Sequence, residues 1–328
     1  MTGARRLPAP ARALLRGDRR ALAGLISRVE RHDPTVAPVL RALHARTGHA
    51  TVVGLTGPLG VGKSSLVNLL MAHLRGLGKT VAVVAVDPSS PFSGGSVLGD
   101  RIRLERDPAD SGIFIRSMAT RGRSGGVATA TRETVRLLDA ARFDVVLVET
   151  VGSGQVDVEI RDIASTSVVV LVPHLGDEVQ TLKAGLFEIA DVFAVNKADL
   201  AGAEAAEKDL AELVSLGTPR DGWRPVVVRT SARDRTGIPL LWDAIAAHEA
   251  FLDAAPGRRA SADRGRTTSE LVELVRERVA RETSARLSED KAHRKLLDEV
   301  VARRVDPRTA ADRLYEDRPA RGRGTRRR

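Results

Sequence analysis

Apolar residues at the start of the chain recur at helical spacing, and the pattern then changes. Leu14, Leu22, Leu25, Ile26 and Val29 fall at spacings that share one face of a helix, so this stretch reads as amphipathic. Gly17-Asp18 and Asp33-Pro34 interrupt it, since a glycine followed by a capping aspartate, or a proline step, closes one helix and opens the next. Residues 1–47 therefore read as an N-terminal helical arm. From Thr51 onward, short β-branched runs alternate with helical stretches. Strands are expected at 51–56, 80–86, 113–116, 143–149, 166–172, 191–196 and 225–230, with helices at 63–76, 127–141, 202–215 and 237–250 among others. The run Val168-Val169-Val170-Leu171-Val172 has no polar alternation, as a strand covered on both faces requires. The fold class predicted for 48–253 is α/β, a doubly wound, mostly parallel sheet with helices on both sides.

Past this domain the texture changes twice. Ala, Pro, Gly, Arg and Ser dominate 254–267, which predicts a linker. Leu271, Leu274, Val275 and Val279 then return to helical spacing, followed by Leu296, Leu297, Val300 and Val301. Short helices of this kind are not stable alone, so their apolar faces are expected to pack on the α/β domain or on another subunit. Residues 254–317 read as a C-terminal helical extension and 318–328 as a basic, disordered tail.

Composition narrows the function classes. The chain has 328 residues, 42% hydrophobic and 29% charged, which is ordinary globular composition. It contains no cysteine, which excludes disulfide scaffolds, thiolate metal sites and cysteine nucleophiles together and fits a reducing, cytoplasmic setting. No run of 18 apolar residues occurs, so no membrane-spanning helix is expected. The net charge is +10, but Arg318, Arg321, Arg323, Arg326, Arg327 and Arg328 supply six positive charges in the last eleven residues with no acid among them. Nucleic-acid binding is therefore expected, if anywhere, at the tail, and no aromatic residue there offers a stacking platform. Arg5, Arg6, Arg12 and Arg16 precede the first acid, Asp18, as in a transit peptide, yet the helical pattern begins by Leu14 and no signal segment is needed.

The chemistry concentrates at the ends of the expected strands. Gly57-Pro58-Leu59-Gly60-Val61-Gly62-Lys63-Ser64-Ser65 follows strand 51–56 and opens a helix, which is the setting of a phosphate loop, G-x-x-x-x-G-K-[ST]. In such a loop backbone N–H groups curl around phosphates, the lysine reaches the terminal phosphates and the following hydroxyl binds Mg²⁺. Asn196-Lys197-Ala198-Asp199 directly follows an apolar strand. A carboxylate there accepts from guanine N1–H and its 2-amino group, whereas adenine offers neither donor. Thr230-Ser231-Ala232, followed by Arg233, is placed to meet the O6 edge of the base. Asp87 and Glu149 close strands 80–86 and 143–149, where ligands of open α/β sheets bind, and both are candidates for the Mg²⁺ and γ-phosphate region. Lys63, Asp87, Glu149 and Gln155 are the candidate catalytic residues, Gln155 as the water-positioning group. The segment 88–102, rich in Ser, Gly and Pro and containing Asp100, reads as a switch, and Arg116, Arg121 and Arg123 flank glycines in an anion-facing loop. His174 is a lone loop histidine, and the other histidines lack metal-ligand spacing.

These residues together resemble the MeaB/ArgK family, the GTPase chaperones of adenosylcobalamin-dependent methylmalonyl-CoA mutase. The resemblance is carried by the phosphate loop, the V-D-P-S-S-P-F-S-G-G-S-x-L-G-D-R stretch from Val86 to Arg101, R-G-x-x-G-G from Arg121, V-E-T-V-G-x-G-Q from Val148 to Gln155, L-G-D-E-x-Q from Leu175 to Gln180 and K-A-G-x-x-E-I-A-D from Lys183 to Asp191. It implies a homodimer of a SIMIBI-class G domain with helical extensions, binding GTP and GDP with Mg²⁺ and hydrolysing GTP slowly until a mutase stimulates it. It also implies nucleotide contacts from Gly57 to Ser65, at Asn196, Lys197 and Asp199 and from Ser231 to Arg233, with Mg²⁺ at Ser64 aided by Asp87 and Glu149. His174 to Lys183 is similar to the family's third switch, with Asp177, Glu178 and Lys183 as residues relaying to the partner. Three positions depart from the family pattern: His174 replaces a usual Gly, Gln155-Val156-Asp157 replaces Q-S-E, and Ser65 replaces a usual Thr. A P-loop kinase for a small molecule and a nickel-type metallochaperone GTPase are the alternatives; the guanine-reading motif argues against the first and the absence of cysteine against the second.

Overall fold

A computed structural model describes residues 7–87, 110–119, 126–150, 160–173 and 185–317 of the chain. Its strands are β1 (Thr51–Thr56), β2 (Val81–Asp87), β3 (Ile113–Ala119), β4 (Val145–Thr150), β5 (Thr166–Leu171), β6 (Val192–Val195) and β7 (Val226–Arg229). They form one sheet in the order β3-β2-β4-β1-β5-β6-β7, with every neighbouring pair parallel. β1 lies in the middle, and its successor β2 sits beyond β4 on one side while β5 adjoins β1 on the other. Chain direction across the sheet reverses at β1, so a crevice opens at the carboxyl ends of β1 and its neighbours.

The continuous valine runs are explained by two cores, one on each face. On one face α4 (Lys63–Gly76) and α8 (Ile238–Ala254) bring Leu66, Leu70, Leu74, Leu241 and Ile245 onto Val53, Leu55, Val83, Leu147 and Val168. On the other, Leu137 and Leu138 of α5 (Gly126–Ala140) join Val84, Val146, Val148 and Val169. The N-terminal helices α1 (Ala9–Leu15), α2 (Arg19–Glu30) and α3 (Ala37–Leu43) add Leu14, Leu25, Ile26, Val29 and Leu43 to this second core. Their breaks fall where the sequence puts them. Asp18 caps α2 by accepting from Arg20 N and Ala21 N, and Asp33 accepts from Thr35 N ahead of the turn at Pro34. The segment is thus a packed layer. Arg19 donates to Ile113 O at 2.9 Å, Arg116 pairs with Glu30, and Asp139 of α5 accepts from the backbone of Gly48, His49 and Ala50, fixing the entry to β1.

β3 extends to Ala119, three residues past the expected stop, because it pairs with β2 along its whole length, Asp87 opposite Ala119. Its Arg116 is accommodated by Glu30 and Ser27 of α2, which pack against it. The expected linker at 254–267 is mostly helix. After Ala255–Gly257, α9 runs from Arg258 to Glu289. Arginine and alanine are strong helix formers despite their low apolar content, and Arg259 ties the first turn back to Glu249 and Asp253 of α8. Between α5 and α8 lie α6 (Gly185–Ile189) and α7 (Ala203–Leu216). At the amino end of β6 the buried Asp191 accepts from Ser167 N at 2.8 Å and pairs with Arg220, facing the buried His248. Burial pushes the carboxyl of Asp191 up and the imidazole of His248 down.

Contacts divide the chain after Glu270. The second unit holds the rest of α9, then α10 (Lys291–Val301) and α11 (Pro307–Glu316), capped by Asp290 and Asp306. Within it, His293 meets Asp317 at 2.9 Å, while Leu271, Val272, Val275, Leu297, Val301 and Tyr315 are exposed.

Gly54, in the middle of β1, is required by close packing, since a Cβ built on it would lie 2.3 Å from Ile160 Cγ1. Gly54→Ala is expected to lower stability by about 1–3 kcal/mol through overpacking, read as a lower midpoint in urea unfolding.

Candidate functional site

The loop from Gly57 to Gly62 leaves the end of β1, and α4 starts at Lys63. Gly62 takes a φ of +93°, and a Cβ there would sit 2.5 Å from Asn196 Nδ2, so both the turn and the close neighbour demand glycine. Lys63 is buried, and its Nζ donates to Gly57 O at 2.7 Å and Pro58 O at 2.8 Å. Its ammonium is thereby folded across the loop, beside the first-turn N–H groups of α4, where the helix dipole adds positive potential. Leu59 at the loop's tip is exposed.

Ser64, one residue into α4, donates from Oγ to Glu149 Oε1 at 2.5 Å. Glu149 is buried on β4, whose residue 149 stands opposite Leu55 of β1. A hydroxyl and a carboxylate meeting at the root of the phosphate loop are hard oxygen donors and suit Mg²⁺ rather than a soft metal. The backbone of Asp87 ends β2, which lies directly beside β4, so this second acid is at the neighbouring strand end.

The second motif meets the first through Asn196. Its N–H donates to Leu171 O at 2.8 Å, continuing the β5–β6 ladder, and its side chain crosses to the loop, Nδ2 donating to Val61 O at 2.7 Å. Its Oδ1 accepts from Thr230 Oγ1 and from Ala232 N, both at 3.3 Å. Lys197 turns the chain with a φ of +58°, and Asp199 then faces the loop after β7. Ser231 Oγ donates to Asp199 Oδ1 at 2.8 Å and accepts from Asp234 N at 3.1 Å. Arg233 approaches Asp199 Oδ2 at 3.8 Å but is 80% exposed in its side chain, so water screens the pair.

The structure therefore brings together Gly57 to Ser65, Glu149, Asn196, Lys197, Asp199 and Ser231 to Arg233. The side chain of Asp87 and all of Asp100, Gln155, His174, Asp177, Glu178 and Lys183 lie outside the described residues, as do Arg121, Arg123 and the tail 318–328. Arg116 instead holds Glu30 and Ser27 of α2. Sequence reading missed Thr56 and Thr150, whose hydroxyls meet at 2.9 Å beneath the loop, because only the adjacency of β1 and β4 joins them.

Replacing Asn196 with Ala would strip Val61 O, Thr230 Oγ1 and Ala232 N of a buried partner together. A loss of about 2 kcal/mol of stability is expected, measured by urea unfolding of Asn196→Ala against wild type.

Known proteins extend this geometry. The family model described as methylmalonyl-CoA mutase-associated GTPase MeaB matches residues 19–288. A Pyrococcus abyssi protein described as a GTPase is 45% identical over 305 residues, covering 92% of this chain and 94% of that one. The GTPase ArgK of Escherichia coli is 34% identical over 313 residues, 93% of this chain and 94% of that one. A crystal structure described as an LAO/AO transport system kinase superposes with a TM-score of 0.71 at 28% identity, covering 96% of this chain and 98% of that one. The parallel seven-stranded sheet with its phosphate loop is accordingly a SIMIBI-class G domain, and the activity is hydrolysis of GTP. The chain belongs to the MeaB family of methylmalonyl-CoA mutase-associated GTPases.

Proposed function

We propose that this GTPase is a chaperone of an adenosylcobalamin-dependent acyl-CoA mutase, with methylmalonyl-CoA mutase as its partner, assisting cofactor loading and protecting the loaded enzyme. The reading is supported by membership, over most of the chain, of a family described as associated with that mutase. The observation that carries the nucleotide part is the single hydrogen-bonded assembly of phosphate loop, Asn196 and the Asp199–Ser231 pair. A guanine base would donate N1–H and its 2-amino group to Asp199, while its O6 accepts from the backbone over 231–233. Lys63 and the loop N–H groups would stabilise charge gathering on the γ-phosphoryl, a preorganised electrostatic role. Ser64 and Glu149, with Asp87 at the next strand end, would hold Mg²⁺, which when bound draws charge from the phosphate oxygens.

Asp100, Gln155, Asp177, Glu178 and Lys183 belong to the same reading as switch and relay residues, Gln155 orienting the attacking water. A homodimer formed through the second unit is supported by its exposed Leu271, Val272, Val275, Leu297, Val301 and Tyr315, a set of apolar side chains that a second copy would cover. A cytoplasmic setting is supported by the absence of cysteine. Among the described residues no helix is long and apolar enough to cross a membrane.

Two outcomes test this reading. Asp199→Asn exchanges a double acceptor for a donor and an acceptor, which mismatches guanine and matches xanthine. GTP affinity should fall by about 10³-fold or more while xanthosine triphosphate gains, read by competition binding. Adding methylmalonyl-CoA mutase from the same source should raise GTP turnover several-fold; turnover indifferent to the mutase removes the partner but leaves the GTPase.

A further inference from the structure

The end of β4, where Glu149 sits, is held from both faces of the sheet. On the α4 side its carboxylate accepts from Ser64 Oγ at 2.5 Å. The next residue along the strand points to the opposite face, because side chains alternate. There Thr150 Oγ1 donates to Thr56 Oγ1 at 2.9 Å. The register pairs Leu55 with Glu149, so the two threonines form the next rung between β1 and β4, at the strand ends. Both are buried, with exposures of 0% for Thr56 and 1% for Thr150.

Their place in the chain gives this contact its consequence. Thr56 is bonded directly to Gly57, where the phosphate loop begins, and Thr150 directly to Glu149. Both side chains are β-branched and stiff about χ1, so the oxygens are fixed once the strands are. Space-filling does not require them, since valine has the same shape and an equal liking for strands, and a buried hydroxyl is costly unless it is hydrogen-bonded. The bond adds a side-chain tie between the last residue of β4 and the residue that precedes the loop, one rung beyond Leu55 and Glu149.

We infer that the Thr56–Thr150 hydroxyl pair positions Glu149 against the phosphate loop for GTP hydrolysis, the two threonines acting as positioning residues. The inference rests on the role proposed above for Glu149. Without the bond the loop still forms, because Asn196 and Lys63 hold it independently, but the end of β4 keeps only the ladder up to Leu55–Glu149 and loses its side-chain tie to the residue before Gly57. Nucleotide binding is then spared and turnover is not.

The test measures GTP turnover, KM and GDP affinity of the full chain for Thr150→Val, Thr150→Ser, Thr56→Val, the double valine variant and Glu149→Ala. The expected result is a fall of about tenfold in kcat for Thr150→Val with KM and GDP affinity within about twofold of wild type. Thr150→Ser should recover most of the rate, and the double variant should be faster than the product of the single effects predicts, because both changes break the bond the two residues share. Thr56→Val carries the same expectation and replaces Thr150→Val should that variant fail to fold. Wild-type kcat in both folded valine variants, a serine variant as slow as valine, or a double variant showing the product of the single effects overturns the inference. Glu149→Ala turning over at the wild-type rate removes the reading of Glu149 and this inference with it; a slow Glu149→Ala beside wild-type valine variants removes the inference alone.

Discussion

The side-chain amide of Asn196 is the contact on which the architecture of the site turns. A phosphate loop is an irregular backbone whose donors face inward, and it keeps that shape only if its outer side is held. Here the outer hold is Asn196 Nδ2 on Val61 O, made from two strands away, with Gly62 leaving room for it. Through its Oδ1 the same amide also reaches Thr230 and Ala232 in the loop after β7. One buried side chain thus fixes the phosphate loop and the loop after β7 relative to each other, the two ends of the proposed nucleotide site. Preorganisation of this kind reduces the ordering cost that binding would otherwise carry.

The sheet makes that contact possible. All pairs among the described strands are parallel, so their carboxyl ends lie together, and β1, β4 and β6 deliver the phosphate loop, Glu149 and Asn196 to one end of the sheet. Parallel strands need cover on both faces, which is why nearly every residue of β4 and β5 is buried and why the N-terminal helices are a structural layer. The opposite end of the sheet is tied differently, by Asp191 to Ser167 and Arg220 and by Asp139 to the turn before β1. Polar networks there anchor the strands at the end remote from the nucleotide site.

Much of this was legible in the sequence because the signals are local. Valine runs mark strands buried on two faces, and the phosphate loop is recognisable because it lies between such a strand and a helix. Strand ends shifted by a residue or two where an acid does structural work, as at Asp144, which precedes β4 and accepts from Thr80 N at 2.7 Å. The misjudged stretch at 254–267 has a physical cause too. Its Arg, Ala and Ser carry no apolar period, and what makes it helical is propensity plus ion pairs such as Arg259 with Glu249, which depend on α8 being alongside. Thr56 and Thr150 were invisible for a deeper reason. They are 94 residues apart, and only the sheet order, which no local pattern encodes, makes them neighbours.

The account claims that Asp199 and the phosphate loop act as one guanine-nucleotide site. The most direct measurement is hydrolysis by the purified protein with GTP and with ATP under the same conditions, as kcat/KM for each. A preference for GTP of about 10²-fold or more is predicted, since adenine offers the Asp199 carboxylate neither of guanine's two donors. Equal turnover of the two nucleotides, or a preference for ATP, would contradict it.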